Sequence, residues 1–242
     1  MRRLGRRDLG PWPWWWWLLG AIGVALAQAI GAGVLMSLAP PRGAEAVGAI
    51  GACVLASVVG LSLMHALRAH PPARDGMSIV PRRRDLLAGL GAMALWMPLV
   101  QAAALAGTLL YLVLRNEPPS YLSHDTLRSL RDDPGNAWTW GMVAAAVIGA
   151  PLAEEILFRG LLQTSLARLI GRPWPAVLLA ATLFSLAHLG SGVREEQAHA
   201  LIPLLVLGVG LGAAYERTAR LWVPITMHAC FNVLNVALTL AL

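Results

Sequence analysis

The sequence predicts an all-α fold: a polytopic transmembrane helical bundle of about seven spans, N-terminus inside. Three observations carry this. Of the 242 residues, 57% are hydrophobic and only 13% charged, against about 25% charged in a soluble domain. The mean hydropathy is +0.61, and the apolar residues are gathered into long runs. The basic residues sit beside those runs. Together these exclude a soluble globular enzyme, a disordered chain and a disulfide scaffold.

Seven apolar segments can be drawn, at about 14–38, 45–67, 86–114, 137–167, 174–189, 198–215 and 221–242. A span needs about 20 apolar residues, so 174–189 is short and 137–167 is long. The first run follows Arg2, Arg3, Arg6 and Arg7, and Ala25-Leu26-Ala27 resembles a leader cleavage site. The apolar stretch continues well beyond it, so an uncleaved first span is expected. Trp12 and Trp14 to Trp17 then form an interfacial aromatic anchor. The 115–136 segment carries Pro118, Pro119, Pro134 and mixed charge. It reads as an outer loop with at most a short surface helix near Leu122–Leu130. Cys53 and Cys230 lie inside apolar runs and read as small packing residues.

All 19 basic residues are Arg, and the net charge is +6. The missing Lys suggests a GC-rich prokaryotic genome and hence a prokaryotic cytoplasmic membrane. The excess charge is explained by the positive-inside rule, so no nucleic-acid partner is implied. With the N-terminus inside, the inner segments hold 14 Arg, including Arg68, Arg82, Arg83, Arg84, Arg168, Arg172, Arg217 and Arg220. The outer segments hold 5: Arg42, Arg115, Arg128, Arg131 and Arg194. That imbalance orients the chain.

Ionisable side chains inside spans are costly and are candidates for function. Glu154, Glu155 and Arg159 lie in the fourth segment, His188 near the end of the fifth, and His228 and Asn232 in the seventh. His65 sits close enough to the inner interface to snorkel. Glu155 and Arg159 are four apart, carboxylate first, and can pair on one helix face. Glu154 is about 100° round the helix from Glu155. His228 and Asn232 share a face. Pro151 cannot donate to the carbonyl of Val147, which weakens the helix just before the acidic pair. Small residues from Gly141 to Ala153, and Gly208 with Gly212, give surfaces for close packing. Gly171-Arg172-Pro173 marks a turn between the fourth and fifth segments. Glu154 precedes Gly171 by as many residues as His188 follows it, so the two stand at matching height, about 25 Å from the turn. His228 agrees with that depth if the Ser165–Pro173 turn projects into the cytoplasm.

Two chemistries suit this set. A carboxylate and an imidazole can activate a water as general bases, while a second imidazole and a carboxamide donate to an oxyanion. Alternatively, Glu154, His188 and His228 form a His2Glu zinc set with one open position. A serine route is poor, because Ser191 sits between Gly190 and Gly192 at the outer edge. Buried polar residues can also serve as helix–helix glue or a proton path. A transporter would favour repeats or paired broken helices, and neither is seen.

Glu154-Glu155-Ile156-Leu157-Phe158-Arg159 fits Glu-Glu-x-x-x-Arg, Phe184-Ser185-Leu186-Ala187-His188 fits Phe-x-x-x-His, and His228-Ala229-Cys230-Phe231-Asn232 fits His-x-x-x-Asn. In order, spacing and placement these resemble the CAAX protease and bacteriocin-processing family (CPBP or Abi) of intramembrane endopeptidases. The resemblance covers about 137–236. It divides the chain into 1–136, without a family motif, and a catalytic helical core at 137–242. It implies that Glu154 and His188 activate water, that His228 and Asn232 form the oxyanion site, and that Glu155 and Arg159 support them. A metal-free, glutamic-type mechanism is favoured, since Asn232 is an unusual zinc ligand; zinc, if bound, would sit on Glu154, His188 and His228. The expected partners are the bilayer and a membrane-associated protein or peptide substrate. The alternative is a non-proteolytic immunity or scaffold protein of the same fold.

Overall fold

The computed structural model describes residues 12–40, 43–68, 81–117, 125–190 and 199–241. Arg2, Arg3, Arg6, Arg7, Arg42, Arg74, Arg194 and Ser191 lie outside these residues.

The described chain is helical, with no strand among the described residues. Its elements are α1 (Trp14–Leu38), α2 (Ala44–Arg68), α3 (Arg83–Arg115), α4 (Asp125–Asp132), α5 (Ala137–Ile170), α6 (Pro173–Ala187), α7 (Leu201–Thr218) and α8 (Trp222–Ala241). Six of them are long and apolar enough to cross a membrane, and α6 is a shorter apolar helix. This agrees with about seven spans. The surface helix expected in the 115–136 loop is α4, two or three residues further along.

Helix ends follow local chemistry. Asn136 caps α5 by accepting from the Trp138 N–H at 2.9 Å. Gly171 ends α5 in the left-handed region, φ 71°, where a side chain would be strained. Pro173 then opens α6, where its missing N–H costs nothing. Asp85 accepts from the Arg82 N–H at 3.0 Å at the start of α3 and from Arg220 Nε at 2.8 Å. That ion pair fastens α3 to the segment leading into α8.

The long helix α5 is the centre of the packing. It contacts α1 and α2 on one side and α6, α7 and α8 on the other. Helix α1 runs along α2, while α3 lies against α7 and α8. One apolar core joins Trp17, Val24, Ala56, Met64, Ile156, Leu161 and Tyr215. A second joins Met93, Val100, Leu207, Leu211 and Met227. The remaining large apolar residues of the spans, such as Leu26, Leu95 and Val113, are exposed, as lipid-facing residues must be.

Trp14, Trp15 and Trp16 are exposed, as an interfacial anchor requires. Trp17 departs from that expectation. It is fully buried, with the Arg168 guanidinium over its ring at 5.3 Å. Arg168 also donates to the Trp12 carbonyl, and Ser165 Oγ to the Trp14 carbonyl at 2.9 Å. Ser165 is therefore level with the start of α1. The residues from Ser165 to Gly171 extend beyond that level by about 9 Å, in the direction that a common depth for Glu154 and His228 requires but short of the projection of about a dozen Å expected from the sequence.

Candidate active site

The fourth span is not a regular α-helix. Ala145–Gly149 and Ile156–Gln163 are wound as π-helix, and only Ala150–Glu155 between them is α. Wide turns of this kind commonly mark functional sites. Here they bracket both glutamates. Pro151 sits at the start of the α stretch, where its ring and missing N–H disfavour a regular helix through this point.

Glu155 and Arg159 are both fully buried. Arg159 donates from Nη1 to Glu155 Oε1 at 3.1 Å and from Nη2 to the Gly208 carbonyl at 3.1 Å. One turn on, Gln163 Nε2 donates to the Gly212 carbonyl at 3.2 Å and to Glu216 Oε1 at 2.8 Å. Two side chains four apart on α5 thus reach two carbonyls four apart on α7. Glycine at 208 makes this approach close: a Cβ there would lie 3.1 Å from the Ala181 Cβ and 3.2 Å from the Phe184 ring.

His228 is buried and lies between the two glutamates. Its Nδ1 is 2.9 Å from Glu155 Oε1, and its Nε2 is 3.9 Å from Glu154 Oε2. His188 follows the last residue of α6, and its Nδ1 is 2.8 Å from the Phe184 carbonyl. A carbonyl can only accept, so that Nδ1 carries a proton and, in the neutral ring, Nε2 offers a lone pair. His188 Nε2 is 4.0 Å from Glu154 Oε2. Both imidazoles therefore turn Nε2 towards one carboxylate oxygen. That oxygen is buried and has no hydrogen-bond partner among the described residues. Phe184 packs edge-on against both rings, with centroids at 4.8 Å from His188 and 5.6 Å from His228. It also lies 4.6 Å from the Arg159 guanidinium carbon. Asn232 donates from Nδ2 to the Ala146 carbonyl at 2.7 Å.

The structure thus brings together Glu154, Glu155, Arg159, His188 and His228, while the hydrogen bond of Asn232 is to the Ala146 carbonyl. Glu154 and His188 meet at the matched depth, and Glu155 pairs with Arg159. Glu154 and Glu155 diverge, yet both reach His228, one at each ring nitrogen. Several neighbours had not been singled out by sequence: the Glu155–His228 hydrogen bond, Gln163, the packing of Phe184, and the carbonyls of Ala146 and Gly208. Gln163 had a usable signal, since it is polar, sits in an apolar run and lies four residues beyond Arg159. Carbonyl partners carry no side-chain signature and had none. Cys53 is buried against Gly149, with the thiol 3.1 Å from where a Cβ would stand. That fits the packing role expected of it.

The donor chemistry of Glu154, His188 and His228 suits zinc, with both Nδ1 atoms held by acceptors. The spacing does not. Tetrahedral ligands at zinc distances stand about 3.4 Å apart, whereas the two Nε2 atoms are 3.9 and 4.0 Å from the carboxylate oxygen. Among the described residues no three His, Cys, Asp or Glu side chains form a group that could hold a metal ion.

Two carboxylates, two imidazoles and a carboxamide thus lie on α5, α8 and the end of α6, with Glu155 and His228 buried and Glu154, His188 and Asn232 half-buried. Residues 136–234 match the family model described as Rce1-like, type II CAAX prenyl endopeptidase. That stretch is similar to the CAAX protease family, in line with the resemblance carried by the three motifs. The helices long and apolar enough to cross a membrane make this chain an integral, multi-pass membrane protein. Comparisons with curated proteins and with solved structures give no match.

Proposed function

We propose that this protein is an intramembrane endopeptidase that hydrolyses a peptide bond of a membrane-associated protein or peptide without a metal. The observation that carries this reading is the convergence of both Nε2 atoms on Glu154 Oε2. A gap of 4.0 Å between His188 Nε2 and Glu154 Oε2 suits one water bonded to both at about 2.8 Å. Each base then accepts a hydrogen bond from it, one of them takes a single proton as the water oxygen attacks, and the oxygen lone pair is left for the scissile carbonyl.

Charge balance supports the second half of the mechanism. Glu154 and Glu155 bring two negative charges, and Arg159 brings one positive. With His228 doubly protonated the cluster is neutral. In that state Nδ1–H donates to Glu155 and Nε2–H is free to donate to the developing oxyanion, with Asn232 as second donor. As the tetrahedral intermediate collapses, the proton held by Glu154 or His188 passes to the leaving amine.

The substrate reading follows from place. The site is within the bilayer, so a leader peptide or a C-terminal membrane anchor of another protein fits it. The Arg distribution and the absence of Lys support a prokaryotic cytoplasmic membrane with the N-terminus inside. The test is mass spectrometry of peptide termini from membranes of cells expressing wild type or Glu154→Gln at equal levels. Glu154→Gln keeps size and removes the charge. New termini are expected with wild type alone, and they persist when a zinc chelator is added to the membranes. Identical termini in both samples would move the assignment to a non-proteolytic protein of the same fold.

A further inference from the structure

We infer that Pro151 is a positioning residue for Asn232: by withholding an N–H from the Ala146 carbonyl, it leaves that carbonyl to orient the carboxamide. In an α-turn the carbonyl of Ala146 would accept from the N–H of residue 150, and in a π-turn from that of residue 151. The Ala150 N–H bonds the Ala145 carbonyl instead. Residue 151 is proline and has no N–H. The carbonyl is thereby left for a side chain, and Asn232 Nδ2 donates to it at 2.7 Å.

The consequence is geometric. An acceptor faces Asn232, so the amide nitrogen and not the oxygen must point at Ala146. The carboxamide is planar, so one fixed N–H fixes the other. The second N–H is then held in one direction. Its use as an oxyanion donor rests on the proteolytic reading above; the orientation of the side chain does not. Pro151 lies only three residues before Glu154, so one residue sets the backbone beneath the proposed base and also the carboxamide across from it.

The test is a double-mutant cycle of Pro151→Ala and Asn232→Ala in the full chain, read by Tm in detergent and by cleavage of the substrate that terminal-peptide analysis identifies. Asn232→Ala orphans the Ala146 carbonyl and lowers Tm. Adding Pro151→Ala to it supplies a backbone donor and recovers part of that loss. Stabilisation in this background alone is a sign that a merely structural proline would not give. Cleavage falls about 10²-fold in Asn232→Ala, by a similar factor in Pro151→Ala, and no further in the double variant. Additive losses in Tm, or in cleavage, overturn the inference. If Pro151→Ala does not fold, Asn232→Asp carries the test. It sets acceptor against acceptor at the same shape, so its Tm must fall below that of Asn232→Ala; a Tm at or above it overturns the inference. If wild type cleaves nothing, the proteolytic reading fails, and the Tm cycle still decides the role of Pro151.

Discussion

Arg159 donates to Glu155 Oε1 and to the Gly208 carbonyl, each at 3.1 Å, while its guanidinium lies over Phe184. A lysine ammonium is a point charge and cannot fork to two acceptors while stacking on a ring. Arg159→Lys therefore keeps the charge and loses one acceptor, at a cost of about 2 kcal/mol. It also loosens Glu155, which orients His228. The expected outcome is a lower Tm together with a larger drop in kcat than in substrate affinity. Unchanged kcat would show that Glu155 holds His228 without help from Arg159. At this scale the sequence was largely readable. Ionisable residues in apolar runs announce themselves because burial without a partner is prohibitive. The partners were less readable. The i,i+4 spacing of Glu155 and Arg159 predicted their pairing, but nothing in the spacing of 155 and 228 predicted that Glu155 would hold an imidazole on another helix.

Helix α5 shows where sequence reading stops at the scale of an element. Pro151 announced an interruption, but the form it takes, π-helix on both sides of one α stretch, depends on tertiary partners. The Ala146 carbonyl, for example, accepts from Asn232 Nδ2 on α8 at 2.7 Å. Gly208 on α7 is legible only in part. Its spacing to Gly212 signalled close packing, while the role of its carbonyl as an acceptor for Arg159 became visible only in three dimensions. The close approach gives a direct prediction. Gly208→Val forces the extra methyl groups against Ala181 and Phe184, an overpacking that costs about 1–3 kcal/mol. In a chain of this size that lowers Tm by about 2–4 °C for each kcal/mol. Because Phe184 carries both imidazoles on its ring edge, cleavage falls as well. A variant that loses Tm and keeps full cleavage would separate Phe184 from the chemistry.

For the whole molecule, span number was legible because an uninterrupted run of about 20 apolar residues matches the thickness of the bilayer core and little else. The order in which the spans pack was not, since it depends on side-chain fit between helices distant in sequence. Orientation lies between these two. It rests on the Arg count, and the geometry is consistent with it. Arg168 and Ser165 bind the backbone of Trp12 and Trp14, so the 165–172 turn stands at the same end as the start of α1. The Asp85–Arg220 pair joins the first turn of α3 to the start of α8, both of which the count also assigns to the inner side. The 133–136 turn precedes α5 and stands at its opposite end. Orientation can be tested with single cysteines at exposed sites, Arg172→Cys and Asp133→Cys. The native Cys53 and Cys230 lie within spans and stay out of reach of a charged maleimide in intact cells. Such a reagent is expected to label Asp133→Cys in intact cells and Arg172→Cys only after lysis. The reverse pattern would invert the chain. It would then present the Arg-rich ends to the outer face, and a substrate would have to be sought among exported rather than cytoplasmic-side membrane proteins.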